Sequence, residues 1–294
     1  MSETLNQAEP FWVPSVVQGR PRVITLASGK GGVGKSHVAI NLAIALSRLG
    51  RRVLLVDGDL GLANVNVLVG VSPEFNASHL LEGMRPFEDV VVSYKEVFDF
   101  LPAGSALASL AELEIRAQVR LMEALQLYKR PYDYVLVDAA AGIGSTVRLA
   151  MSIADEVVVV MTPEATSLTD AYALVKVASK YGIEVPFQVL VNRVRLAGDA
   201  REMYGCLNSA SRSFLGIEAG YAGYIYRDRV VERATRDQTP FILSFPSAPA
   251  ARCIGALARR IESVGADGIE LKAVSSMSKQ RDTAVPLKGM FDDS

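Results

Sequence analysis

Residues 29–36 read Gly29-Lys30-Gly31-Gly32-Val33-Gly34-Lys35-Ser36, which fits the phosphate-loop pattern G-x-x-x-x-G-K-[ST] without a mismatch. A triphosphate carries several negative charges, and a loop poor in side chains lets backbone N–H groups converge on them. Gly31, Gly32 and Gly34 supply that bareness and permit positive φ. In this pattern Lys35 reaches the β- and γ-phosphates and the Ser36 hydroxyl ligates Mg²⁺. Gly29, Val33 and His37 complete the stretch expected to touch a nucleotide. Arg22–Ala27 reads as a short buried strand, and a helical pattern begins where the loop ends, its positive dipole end facing the phosphates. A glycine-rich turn with an incidental lysine is the competing reading, and it leaves both flanks unexplained.

The pattern outside the loop alternates strand and helix. Val38, Leu42, Ala45, Leu46 and Leu49 recur at helical spacing, with Gly50 suited to the C′ position. Arg52–Asp57 is an apolar, β-branched run of the kind buried on both faces of a parallel sheet, which completes a βαβ unit. Asp57 and Asp59 then stand at the carboxyl end of that strand, the edge where open α/β sheets bind ligands. Asp57 is expected to support Mg²⁺ from behind its direct ligands, and Asp59 to orient the attacking water. A strand-end turn using Asp and Gly for backbone reasons is the alternative. Tyr132–Asp138 is a strand closing on an acid, the Walker B arrangement in which an aspartate holds Mg²⁺ through water. The small residues Ala139–Gly142 after it are a candidate switch II.

The middle of the chain is less regular. His79–Glu82 and Pro86–Tyr94 suggest short helices, Phe98–Leu101 a strand, and Ile115–Tyr128 a helix ended by Pro131. Alternation then resumes: strand Glu156–Met161, helix Ser167–Tyr181, strand Phe187–Val191 ending in Asn192 and Arg193, helix Asp199–Leu215, strand Gly223–Ile225, and amphipathic helix Arg252–Val264. The predicted fold is α/β, a twisted and mostly parallel sheet with helices on both faces. It forms one domain over residues 21–265, between a flexible lead-in (1–20) and a polar tail (266–294) that reads as mobile.

Composition sets bounds. Over 294 residues, 50% are hydrophobic and 21% charged, as in an ordinary globular protein. A net charge of −1 provides no basic footprint for nucleic acid. Cys206 and Cys253 sit in no metal or redox spacing, so a reducing cytosol is expected. Neither His37 nor His79 has partners at metal-ligand spacing. The first twenty residues do not read as a secretory signal, and no run approaches the roughly 18 apolar residues of a membrane span.

Several stretches resemble one branch of the MinD/ParA ATPases, the FlhG group (also called FleN or YlxH), which sets flagellar number and position in bacteria. They are Ser28–Ser36, whose second lysine is similar to the family's deviant Walker A motif, Val53–Val65, Asp138–Ile143, Thr162–Tyr172 and Gly223–Asp228. The resemblance spans about residues 22–265 and implies a P-loop NTPase using ATP and Mg²⁺. It implies that Lys30 crosses an ATP-dependent homodimer interface to the partner's nucleotide, although a projecting lysine is equally a solvated one on the loop alone. By the same resemblance Lys30, Lys35 and Asp59 are catalytic, and Ser36, Asp57 and Asp138 serve the metal. Asn192 would read the adenine edge, since an amide offers donor and acceptor together. Arg193 would flank the base, and Pro246–Pro249 would form part of the adenine wall.

Further expectations follow from the resemblance. Partners would be an FlhF-like SRP-type GTPase and flagellar assembly or transcription factors. Asn6-Gln7-Ala8 resembles the Asp-Gln-Ala element that stimulates that GTPase, with Pro10 cutting its helix short. The location would be cytoplasmic, with weak peripheral membrane association as a family trait; the final helix more often packs on its own domain than on lipid. Ala139 departs from the family's Thr or Ser, which implies slow turnover, and Asn66, Ala165 and Tyr226 depart from the usual Asp, Pro and Pro. A MinD-type division-site regulator, a ParA-like partitioning ATPase and an ATP-binding regulator that scarcely hydrolyses are the alternatives.

Overall fold

The computed structural model describes residues 20–59, 64–104 and 132–266. The strands are β1 (Arg22–Ser28), β2 (Val53–Gly58), β3 (Val92–Tyr94), β4 (Phe98–Leu101), β5 (Tyr134–Ala141), β6 (Glu156–Met161), β7 (Phe187–Val194) and β8 (Gly220–Tyr226). They form one sheet in the order β3-β4-β2-β5-β1-β6-β7-β8. All neighbours run parallel except β3 and β4. The helices are α1 (Lys35–Arg48), α2 (Asn64–Val69), α3 (Ala77–Leu81), α4 (Phe87–Val90), α5 (Ser145–Ser152), α6 (Ala165–Lys180), α7 (Ala197–Leu215), α8 (Arg229–Arg236), α9 (Phe241–Ser244) and α10 (Pro249–Ala266).

The strand residues alternate between two apolar layers, as a period of two requires. Val158 and Val160 of β6 join Leu26 and Leu136 in the core beneath α1 and α10. Val157, Val159 and Met161 face the opposite side with α5, α6 and α7. A third cluster, including Leu54, Val56, Val135 and Val137, packs with Ala77 of α3 and Phe87 of α4. Because every central strand is buried on both faces, its sequence is a continuous apolar run rather than an alternating one. The predicted α/β architecture is therefore the observed one.

Some elements differ from the sequence reading. Pro86–Tyr94 is not one helix. A single turn, α4, gives way to β3, which pairs antiparallel with β4. The run Val90-Val91-Val92 favours extension, and the edge of β4 offers it hydrogen-bonding partners. Lys95 and Glu96 close this hairpin, both at positive φ (50° and 58°), as a type I′ turn needs. β7 runs on through Asn192 and Arg193 to Val194. α2, α5, α8 and α9 were not anticipated; α2 and α9 span only six and four residues. The lead-in with Asn6-Gln7-Ala8, the helix expected over 115–128 and the tail beyond 266 lie outside the described residues.

The last helix packs on the domain, as its pattern predicts. Ile254, Leu257, Ala258 and Ile261 are buried where α10 meets α1 and β8. Polar ties hold its far end to the amino edge of the sheet. Arg22 donates to the Ile261 carbonyl at 3.1 Å and pairs with buried Glu156, while Glu262 accepts from Tyr134 Oη at 2.6 Å and Arg51 Nε at 2.7 Å. Among the described residues no helix is long and apolar enough to cross a membrane. Ile254→Ala should lower unfolding free energy by about 2–5 kcal/mol, read from urea denaturation midpoints; a loss within the error of the measurement would mean that α10 is not docked.

Candidate functional site

The phosphate loop joins the central strand β1 to α1 at the carboxyl edge of the sheet. Gly32 and Gly34 take φ of 79° and 90°, whereas Gly31 is not among the positive-φ residues. Gly34 is doubly constrained, because a Cβ there would stand 2.5 Å from Asn192 Nδ2. Gly29 has a different reason: its Cβ would meet the Asp170 carbonyl oxygen at 2.0 Å, since α6 presses on the loop. Asn192 Nδ2 donates to the Val33 carbonyl at 2.8 Å, fastening the loop to β7.

Lys35 and Asp138 are both buried, and Lys35 Nζ lies 2.5 Å from Asp138 Oδ1. Burial pushes the Asp138 carboxyl above the ordinary carboxylate range, and the Lys35 charge opposes that shift. Asp138 Oδ2 is buried with no hydrogen-bond partner, a costly condition for a carboxylate oxygen. Ser36 lies close enough for its hydroxyl to favour the Asp138 charge. A hydrated Mg²⁺ fits this arrangement, since its waters would donate to the orphaned oxygen. Among the described residues no three His, Cys, Asp or Glu side chains could hold a metal together. Such a cation therefore needs oxygens from elsewhere, as Mg²⁺ bound by one or two carboxylates and substrate phosphates does.

The two predicted strand-end acids meet in register, Asp57 on β2 opposite Asp138 on β5. Asp57 Oδ1 accepts from Asp59 N at 3.2 Å and Oδ2 from Val65 N at 3.1 Å. Asp57 thus braces both ends of the segment after β2. Burial raises its pKa to about 7, with the neighbouring Asp138 charge adding to the shift and the two backbone hydrogen bonds opposing it. Asp59 Oδ2 accepts from Asn64 Nδ2 at 3.0 Å, which aligns its carboxylate. Ala139 is buried in the cluster with Val56 and Ala150.

A cavity of about 830 Å³ opens beside the loop, lined by Gly34, His37, Asn192, Arg193, Asp228 and Phe241 among others. This is within the usual range of small-molecule sites. Asn192 Oδ1 accepts from Arg193 N at 2.9 Å, so with Val33 also held, one amide N–H and one lone pair remain for a ligand. Arg193 adopts φ of 61° and is exposed at the rim. His37 Nε2 lies 3.2 Å from Thr235 Oγ1. Burial first, and the Arg193 charge second, lower its pKa, which favours the neutral ring. Pro246, expected in an adenine wall, is exposed between α9 and α10 and is not among the residues lining this cavity. The turn of α9 places Phe241 there instead.

Lys30 lies at the surface of the loop with its side chain partly covered. Its Nζ donates to Glu164 Oε2 at 2.8 Å and to Thr166 Oγ1 at 3.0 Å. These partners were missed, because more than 130 residues separate them from Lys30 and nothing in their local pattern marks them. Asp228, which also lines the cavity, caps α8: its Oδ1 accepts from Val230 N at 3.2 Å.

Such a loop, set between a central parallel strand and its helix and facing an acid on the next strand, defines the class of P-loop nucleotide-binding proteins. The sequence matches the family model described as an AAA domain over residues 21–183. It is 36% identical to the antiactivator FleN of Pseudomonas aeruginosa over 242 residues, 82% of this chain and 86% of that protein. Identity to the flagellum site-determining protein YlxH of Helicobacter pylori is 32%, over 75% of each chain. The fold is similar to that of the septum site-determining protein MinD from Pyrococcus horikoshii, solved with Mg-ADP, at a TM-score of 0.67 and 27% identity over 85% of this chain and 100% of that one. The chain belongs to the MinD/ParA family of P-loop ATPases, in its FlhG/FleN branch.

Two outcomes follow from this geometry. Gly34→Ala should weaken ATP binding by about tenfold or more, from backbone strain and the Asn192 contact together; calorimetry showing unchanged affinity would refute the cradle. A carboxyl whose folded pKa lies above the unfolded value contributes stability that is present below about pH 4 and lost as pH rises through the folded value, here about 7. Metal-free wild type should therefore lose stability between about pH 4 and 7, and Asp57→Asn should flatten that slope in urea midpoints measured across the range.

Proposed function

We propose that this chain is a Mg-ATP-dependent dimer switch that regulates flagellar number or placement and hydrolyses ATP slowly, with stimulation by a partner. The carrying observation is the loop itself, where Lys35 meets Asp138 in the interior and Lys30 stands at the surface. In this reading one lysine serves the chain's own nucleotide and the other that of a second copy. The similarity to FleN and YlxH, over three quarters of the chain or more, supports the flagellar role.

In this reading backbone N–H groups of Gly29–Ser36 cradle the phosphates, and Lys35 exchanges its contact with Asp138 for the β- and γ-phosphate charge. Ser36 and Asp138 would hold Mg²⁺, which when bound would neutralise charge on the phosphate oxygens. Asp59, aligned by Asn64, positions the attacking water, while Asp57 braces the backbone on either side. Asn192 and Arg193 meet the base in the cavity beside β7. Lys30 of each protomer reaches the other's phosphates, so loss of the γ-phosphate dissolves the pair. This is the logic of switch loops ordered by a terminal phosphate. The residues before Arg20 would engage an FlhF-like GTPase, and flagellar assembly or transcription factors would read the dimer. The setting is the cytoplasm, with at most weak membrane contact, because α10 buries its apolar face in the domain.

Asp59→Ala should leave ATP binding and ATP-dependent dimerisation intact while turnover falls on the order of 10²- to 10⁴-fold. A monomer by sizing with ATP in that background would overturn the switch. Lys30→Gln should abolish the dimer and spare nucleotide binding by the monomer. Deletion of the gene should change flagellar count or position; a division defect with normal flagella would favour the MinD-type role.

A further inference from the structure

Lys30 is already occupied within its own chain, and this has consequences for the dimer. We propose that Glu164 and Thr166 form an intramolecular latch on Lys30 that must open before two copies can engage, so that the latch sets the concentration at which the ATP-bound chain dimerises. The inference rests on the dimer-switch reading given above.

An ammonium has three donors, and two of those on Lys30 are committed to Glu164 Oε2 (2.8 Å) and Thr166 Oγ1 (3.0 Å). Reaching across to a partner's phosphate means breaking both contacts. The backbone beneath is fixed. Ser28 Oγ donates to the Lys30 carbonyl at 3.0 Å, and Gly29 lies against the Asp170 backbone of α6 so closely that no Cβ fits. Opening is therefore a swing of one side chain, with loop and helix held still.

The latch is built to be weak. Lys30 is 30% exposed and Glu164 60%, so water competes for both ends of the pair. Lys30 holds the Glu164 carboxyl below its usual range, and Arg193 adds to that effect. An exposed pair of this kind shifts an equilibrium by about twofold to fivefold. A symmetric dimer opens two latches, so the dimerisation constant carries the square, about four- to twenty-five-fold. That range tunes a threshold without blocking assembly.

The test is sedimentation velocity on the full chain with Mg²⁺ and a non-hydrolysable ATP analogue. Glu164→Gln, isosteric and on the surface, should lower the protein concentration for half-dimerisation by about four- to twenty-five-fold. Thr166→Val should shift it the same way by a smaller factor. In a Lys30→Gln background, Glu164→Gln should produce no gain. If wild type dimerises and Glu164→Gln does so at the same concentration, the latch is wrong. If Glu164→Gln dimerises less readily, Glu164 serves the interface itself, and the latch is again wrong. Wild type that takes up the analogue yet stays monomeric, with Glu164→Gln also monomeric, would instead remove the dimer reading on which the latch depends.

Discussion

A buried ammonium and a buried carboxylate stand 2.5 Å apart at the end of the central strands, and the edge of the sheet is arranged to make that pair tolerable. Either charge alone, at that depth, would be severely penalised by loss of water. The partnership requires α1 to begin directly after the loop and β5 to lie next to β1. It also requires strand register. Leu26 and Asp57 flank Asp138 on its two neighbouring strands. A slip of one residue would turn Asp138 to the other face, into the apolar cluster behind the sheet. The apolar layers that fix the register thus also locate the chemistry.

Around this pair the chain places polar groups where backbone or side chains can hold them. Asp57 binds two backbone N–H groups across the segment after β2, and Asn192 holds the phosphate loop to β7. Both were expected to serve metal or base, and both have a structural task compatible with that role. A further tie runs from the cavity side to the catalytic side. Gln238, just beyond α8, donates to the Val67 carbonyl of α2 at 3.0 Å, and α2 begins at the residue that aligns Asp59. The side chains that line the cavity and the Asp59–Asn64 pair therefore share one packed frame. Ala139, the departure from the family pattern, is buried beneath the frame among apolar side chains.

Much of this was legible along the chain because it is local. The phosphate loop declares itself in eight consecutive residues, and the β-branched runs at 53–56 and 156–161 mark strands buried on both faces. Acids at the ends of such runs, Asp57 and Asp138, could be assigned to the binding edge from the rule for open α/β sheets alone. Short elements were harder. Pro86–Tyr94 holds both a helical turn and an edge strand, and the open flank of β4 decided where one ended. α8 is mostly polar and buries only Ala234, so little in it reads as core.

Sequence alone determined the fold class, the nucleotide loop, the strand-end acids and the family, because each depends on the spacing of neighbouring residues. Tertiary structure decided what depends on distance across the fold. It brought Glu164 and Thr166 to Lys30, put Phe241 rather than Pro246 beside the cavity, and explained Gly29 and Gly34 through the close approach of Asp170 and Asn192. These relations join residues remote in the chain through the packing of α6 and β7 against the loop. No local pattern records them, because the free energy that brings them together comes from the burial of the whole sheet.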